Sequence, residues 1–152
     1  MAFNIYQDGE LIAEKVKDRN YTVTGLKPNT QYTFAVSEVI GNKESSKTSV
    51  TVTTKRIEVT GITLSPKNMK ADAGVAGTRN LTHEITPENA SSDEVEYILT
   101  TPADGLTVTP DGVLKWNEEV PAGEYTVKVR EVYSNKEASS TLTLSEPEVA
   151  PV

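Results

Sequence analysis

Three groups of residues in this 152-residue chain are of types that do chemistry. The single histidine, His83, stands without a second histidine and without any cysteine. There is therefore no imidazole pair for a proton relay, no thiolate nucleophile, no disulfide and no Cys/His zinc site. Carboxylates gather at Asp93, Glu94 and Glu96 and again at Glu118 and Glu119. Catalysis by paired carboxylates needs two groups facing across a cleft, one with a raised pKa. Neighbours on loops or solvent-facing strand positions read instead as solvated acidic surface, with a weak calcium site as the chemical alternative; the spacing of a helix–loop–helix calcium site is absent. Gly74-Val-Ala-Gly77 lacks the strand-to-helix setting of a phosphate loop, and no Gly-x-Ser-x-Gly elbow occurs. The expectation is a chain with no catalytic residue, no cofactor and no metal.

The elements that would position these residues are strands. Short alternating segments rich in Val, Ile, Thr and Tyr are punctuated by Asp8-Gly9, Gly41-Asn42, Asp104-Gly105 and Asp111-Gly112, which tolerate the positive φ of tight turns. No window carries a 3.6-residue apolar stripe. Along one face alternate Leu81 and Ile85, then Val95, Tyr97 and Leu99, then Leu114 and Trp116, then Tyr125, Val127 and Val129. His83 falls between Leu81 and Ile85 and so borders the core as a packed, hydrogen-bonded side chain.

Charge divides the chain. Residues 1–56 carry eight Lys/Arg and six Asp/Glu, a net +2, and residues 57–152 carry seven and sixteen, a net −9. The total of −7 excludes the basic face of a general nucleic-acid binder. No apolar run approaches the ~20 residues of a membrane span, and the opening Met-Ala-Phe-Asn-Ile-Tyr-Gln-Asp has neither the basic nor the apolar region of a signal peptide. The boundary is placed at Lys55-Arg56, giving units over 1–56 and 57–145. A Pro-rich tail over 146–152 reads as extended.

The two halves share a repeat. Between residues 28–48 and the segment 93 residues later, eleven of 21 positions are identical: Pro28, Tyr32, Thr33, Val36, Glu38, Val39, Asn42, Lys43, Glu44, Ser46 and Thr48. A hairpin accounts for it. Tyr32, Phe34 and Val36 share one face, as do Tyr125, Val127 and Val129; a tight Asn-Lys-Glu loop follows (Asn42, Lys43, Glu44 and Asn135, Lys136, Glu137). Return strands then bring in Val50 and Val52, or Leu142 and Leu144. Duplication of a stable module explains the loops, and a binding role for them is the functional alternative.

Tyr21-Thr-Val-Thr-Gly-Leu-Lys-Pro-Asn-Thr-Gln-Tyr-Thr-Phe-Ala-Val36 resembles the E strand, tyrosine corner and F strand of a fibronectin type III domain, carried by Leu26, Pro28, Thr30 and Tyr32. The resemblance implies that the Tyr32 hydroxyl bonds to nearby backbone and locks the E–F connection. Phe3 to Ala13 resembles the C–C′ hairpin, with Phe3 and Ile5 facing inward. Residues 57–145 resemble a bacterial group-2 immunoglobulin-like domain, through Val59 to Pro66, Ile85 to Ala90, Thr107 to Trp116 and Ala122 to Val127, with Trp116 and Tyr125 as structural residues. The fold expected is all-β: two tandem immunoglobulin-like or fibronectin-like sandwich units, the first lacking its first two strands. With strand E alone over its sheet, a unit of ~55 residues is marginal in core, so the second unit, a neighbouring copy, or a strand or surface of another protein is expected to cover that face.

Tandems of this kind on a chain without an export signal resemble structural proteins of tailed bacteriophages. That resemblance implies a non-enzymatic capsid decoration protein on the virion surface. Its first unit would dock on the major capsid protein or another virion protein by edge-strand or sheet-face contact, with Phe3, Ile5 and Tyr6 among the candidate binding residues beside the two Asn-Lys-Glu loops, and its acidic second unit would meet bacterial surface glycans weakly. Homo-oligomerisation is a further possibility of the open face. Tyr6 and Tyr133 are the exposed aromatic candidates for sugar contact. Rival expectations are a tail-tube or baseplate accessory protein, a piece of a secreted adhesin, and a carbohydrate-binding module.

Overall fold

The computed structural model describes residues 1–151, and these are strand and connection with no helix. They form two compact units, Met1–Ile57 and Glu58–Val152. Val152, the end of the tail expected over 146–152, lies outside the described residues; 146–151 form no strand and are exposed.

The first unit holds β1 (Ala2–Gln7), β2 (Glu10–Val16), β3 (Gln31–Ile40), β4 (Lys43–Glu44) and β5 (Thr48–Thr53) in one antiparallel sheet. The order is β2-β1-β3, with β4 and β5 both beside β3. Asp8 and Gly9 take φ of 51° and 89° between the paired Gln7 and Glu10, the primed two-residue turn that suits the strand twist. The register sets Ile5 opposite Val36, Phe34 opposite Val50 and Tyr32 opposite Val52. Because side chains alternate, these residues share one face. Tyr32 accepts a hydrogen bond from the Lys27 N–H at 3.0 Å, and the Thr54 hydroxyl donates to the Lys27 carbonyl at 2.6 Å, so the turn before β3 is tied to the strand after it. The E strand expected at the start of Tyr21–Val36 does not join a ladder. Residues 17–30 form no strand, because no neighbouring segment offers its backbone.

The second unit holds β6 (Gly61–Ser65), β7 (Asn68–Asp72), β8 (Gly77–Asn80), β9 (Thr82–Thr86), β10 (Val95–Leu99), β11 (Leu106–Val108), β12 (Val113–Trp116), β13 (Gly123–Glu131) and β14 (Glu137–Ser145). One sheet runs β10-β13-β14-β7, with β7 parallel to β14; a second runs β11-β12-β8; β6 pairs β9. The inward set Leu64, Met69, Leu81, Leu114, Trp116, Val127, Val129, Leu142 and Leu144 forms one buried cluster, with Val95, Tyr97 and Leu99 packed against it. The Trp116 Nε1–H donates to the Val75 carbonyl at 3.0 Å, and its ring lies against Gly77, where a Cβ would come within 2.3 Å of Cζ2. Tyr125 donates its hydroxyl proton to the Pro121 carbonyl at 2.8 Å.

The repeated hairpins do not turn alike. In the first unit Ile40 pairs Lys43 around Gly41 (φ 60°) and Asn42, a tight turn. In the second, Arg130 pairs Glu137 and residues 131–136 make a wider loop, with the positive φ now at Asn135 (57°). Serine stands at 134 where the first copy has Gly41. The left-handed position moves to asparagine, a residue that tolerates it. The expectation of a tight loop in both copies is corrected for the second.

Candidate functional site

The hairpin register places the same positions of the repeat in opposite environments. Val129, Ser140 and Leu142 are 0%, 1% and 0% exposed, whereas Val36, Val50 and Val52, which hold the same places in the pairing register of the first unit, are 40%, 58% and 43% exposed. The pattern extends upstream. Tyr21 stands 93 residues before Leu114 and is 46% exposed where Leu114 is 1%. In the second unit the strands β6, β7, β8, β9 and β12 complete the burial; the first unit has no layer of that kind.

The result is an apolar groove of about 630 Å³ within the first unit. Its floor is Phe3, Ile5, Phe34 and Val36 on β1 and β3. Its wall is the extended segment bearing Tyr21, Val23 and Leu26, with Asp18, Arg19 and Met1 at the rim. From Tyr21 to Gly25 no backbone group has a backbone hydrogen-bond partner among the described residues. Monomeric soluble domains seldom leave a contiguous apolar surface of this kind uncovered unless something binds there.

Of the residues expected to bind, Phe3 and Ile5 lie in this groove. Tyr6 does not. It follows Ile5 and points to the other face, where it is 8% exposed, so the expectation of an exposed Tyr6 is corrected. The Tyr6 and Ser37 hydroxyls both donate to Glu44 Oε1, and the Lys47 ammonium sits 3.6 Å above the Tyr6 ring. Those hydrogen bonds, from Ser37 and then Tyr6, hold the Glu44 carboxyl below its ordinary value against an opposing effect of burial, with lesser help from Asn4 and Lys47.

Asn42 and Lys43 are exposed at the turn, apart from the groove. In the second unit Asn135, Lys136 and Glu137 are exposed, and Glu137 pairs with Lys128 at 3.0 Å. The shared tripeptide thus serves two different structures. Tyr133 is half-exposed and donates to Glu94 Oε2 at 3.2 Å.

The chemistry-bearing groups are held in structural bonds. His83 Nδ1 lies 2.9 Å from the Tyr97 hydroxyl, which burial and then Asp111 push up from its ordinary pKa. Glu96 pairs with Arg130. Glu131 is fully buried and accepts the Ser134 N–H at 2.6 Å. Burial pushes its pKa up, but hydrogen bonds from Ser134, the Tyr133 backbone and Ser92 outweigh it and leave the carboxyl low. Among the described residues no three His, Asp or Glu side chains are placed to hold a metal ion, and no helix is long and apolar enough to cross a membrane.

Sequence reasoning missed Tyr21 and Val23 as members of the open face. The signal was present in the repeat, since Tyr21 and Val23 align with Leu114 and Trp116 at the same offset of 93.

Residues 4–55 match the fibronectin type III domain. The first unit is fibronectin-like in sequence as well as in its tyrosine corner. Among solved structures, the N-terminal eight Ig domains of Down Syndrome Cell Adhesion Molecule isoform 1.30.30 superpose with a TM-score of 0.54 at 19% identity, over 95% of this chain and 22% of that one. The N-terminal four Ig domains of Dscam1 isoform 6.9 give 0.52 at 20% identity, over 95% and 37%. The chain therefore spans between about a fifth and two fifths of these structures, and at such identities the likeness carries the immunoglobulin-like β-sandwich fold alone. No curated protein gives a significant match. Fibronectin-like and immunoglobulin-like domains are typically binding or structural modules rather than catalysts.

Proposed function

We propose that this chain is a non-enzymatic docking and display protein, and more narrowly a capsid decoration protein of a tailed bacteriophage. The first unit docks on the major capsid protein or a neighbouring virion protein. The second, read as a group-2 bacterial immunoglobulin-like domain, is displayed outward and meets bacterial surface glycans weakly. The observation that carries the docking half of this reading is the exposure of Val36, Val50 and Val52 where Val129, Ser140 and Leu142, at the same places in the pairing register, are sealed. The charge distribution supports the polarity: a docking half of net +2 avoids repulsion on a particle, and a half of net −9 stays soluble outside it. A sugar platform has less behind it, since the Tyr6 ring is covered and Tyr133 is the remaining exposed candidate.

The test is co-sedimentation with intact phage particles, followed by a count of copies against the major capsid protein. Hundreds of copies retained on tail-less heads support decoration. Copies on isolated tails alone move the protein to the tail tube or baseplate. No association with either ends the virion reading in favour of an adhesin module.

A further inference from the structure

The second unit shows what kind of segment the first one lacks. There β12 carries Leu114 and Trp116 inward and pairs antiparallel with β8, with Leu114 opposite Arg79 and Trp116 opposite Gly77. At the repeat offset of 93, Tyr21–Thr24 corresponds to Leu114–Asn117. It presents Tyr21 and Val23 in the same alternation, but no backbone partner lies along it among the described residues.

We propose that a partner polypeptide adds one extended strand antiparallel to Tyr21–Thr24, in the place that β8 holds against β12. Every second side chain of this strand fills the groove over Ile5 and Val36. A strand uses both features of the site, since its backbone can pair with the solvent-exposed N–H and C=O groups of 21–25 while its apolar side chains cover the floor. A helix or a small apolar ligand would cover the floor and leave the backbone unpaired.

Charge narrows the guest further. Residues 20–26 are uncharged, while the segment 17–27 carries Lys17, Arg19 and Lys27 against Asp18, so 3 − 1 = +2, the whole surplus of the unit. The guest strand is therefore apolar at alternate positions and flanked by carboxylates.

This inference rests on the reading of the first unit as the docking half. Its test uses the full chain and synthetic peptides alone, so that it can fail while virion attachment holds. The probe is fluorescein-Asp-Asp-Thr-Val-Thr-Val-Thr-Val-Asp-Asp-amide for fluorescence anisotropy, and its acetylated form for hydrogen exchange at the amides of residues 21–25. Binding with slowed exchange there is expected. Proline for the central valine, which removes a backbone donor, is expected to weaken binding roughly tenfold, and lysine flanks to weaken it by a similar factor at low salt. V36K and Y21K, both at exposed positions, are each expected to abolish binding while the remaining amide resonances keep their places. If no peptide slows exchange at 21–25, or if proline and lysine versions bind equally well, the proposal is wrong. It is equally overturned if the chain sediments as a dimer with 21–25 already protected, because a second copy then covers the face. Peptide binding without particle association would instead leave this inference standing and remove the virion reading.

Discussion

Val36 and Val129 occupy the same position of the repeated hairpin, and only Val129 is sealed from solvent. Each stands opposite an aromatic or aliphatic residue of a neighbouring strand of its sheet, Ile5 on β1 in one unit and Tyr97 on β10 in the other. The difference lies in what is stacked above the sheet. Two side chains of one chemistry therefore contribute differently to stability, because burial and not type sets the hydrophobic gain.

The same contrast gives a direct measurement on the return strands. Leu142→Ala removes fully buried volume and is expected to cost about 2–5 kcal/mol. Val50→Ala, on the open face, is expected to stay within about 0.5 kcal/mol. Urea titration reads the first through Trp116, the single tryptophan, which belongs to the second unit. Hydrogen exchange of β3 amides reads the second. A large loss from Val50→Ala in the isolated chain would mean that the face is already covered.

Acid should loosen the first unit through Glu44. Its folded pKa is depressed, by the Ser37 and Tyr6 hydroxyls first. The stability it contributes is therefore complete above the ordinary carboxylate range and is lost as pH falls through the lower folded value. Glu44→Gln is expected to flatten that acid limb, with the first unit less stable at neutral pH and nearly unchanged in strong acid. The check is exchange protection of β1 and β3 amides across the acid range. A variant that keeps the wild-type pH slope would show that Glu44 is not the responsible group.

Much of this architecture was legible because strand alternation and turn residues are local signals. Asp8-Gly9 announced its hairpin, and Leu114 with Trp116 and Tyr125 with Val127 announced buried faces. The resemblance to a C–C′ hairpin placed Phe3 and Ile5 inward, and both line the groove. Tyr6 was misread because its cover is remote in sequence: Glu44 lies 38 residues away and Lys47 further still. The tripeptides Asn42-Lys43-Glu44 and Asn135-Lys136-Glu137 were read as one loop because identity was visible, while the glycine that permits the tight turn occurs only at position 41. The E strand expected at the start of Tyr21–Val36 illustrates a third limit. Its pattern is that of a strand, but a strand exists only where another backbone pairs with it.

Close approach sets a further test at Gly77. Its backbone dihedral is ordinary, so the requirement for glycine is steric: a Cβ there would come to 2.3 Å from the Trp116 ring. Gly77→Ala is expected to push the indole outward, strain the Nε1–Val75 hydrogen bond and destabilise the second unit by about 1–3 kcal/mol. A red-shifted Trp116 emission together with a lower urea midpoint would report it. An unchanged midpoint would mean that the β8–β12 pairing gives way at little cost.

Glu38 and Glu131 extend the comparison between units to a charged side chain. They are the same residue of the repeat, yet Glu131 is fully buried and ties the wider 131–136 loop through Ser134, while Glu38 is half-buried. Glu131→Gln keeps the shape but exchanges a charged acceptor for a neutral amide that brings its own donors. Hydrogen bonds to a charged group are worth about 1.5–3 kcal/mol, so a loss in that range is expected for the second unit, against about 0.5 kcal/mol or less for Glu38→Gln in the first. Because the folded pKa of Glu131 is lowered, with hydrogen bonding outweighing burial, the penalty should be largest at neutral pH and shrink as pH falls through the folded value. Urea titration of E131Q by Trp116 fluorescence, repeated from neutral to acid pH, decides it. A penalty that is equal at every pH would assign Glu131 a role in packing rather than in charge-assisted closure of the loop.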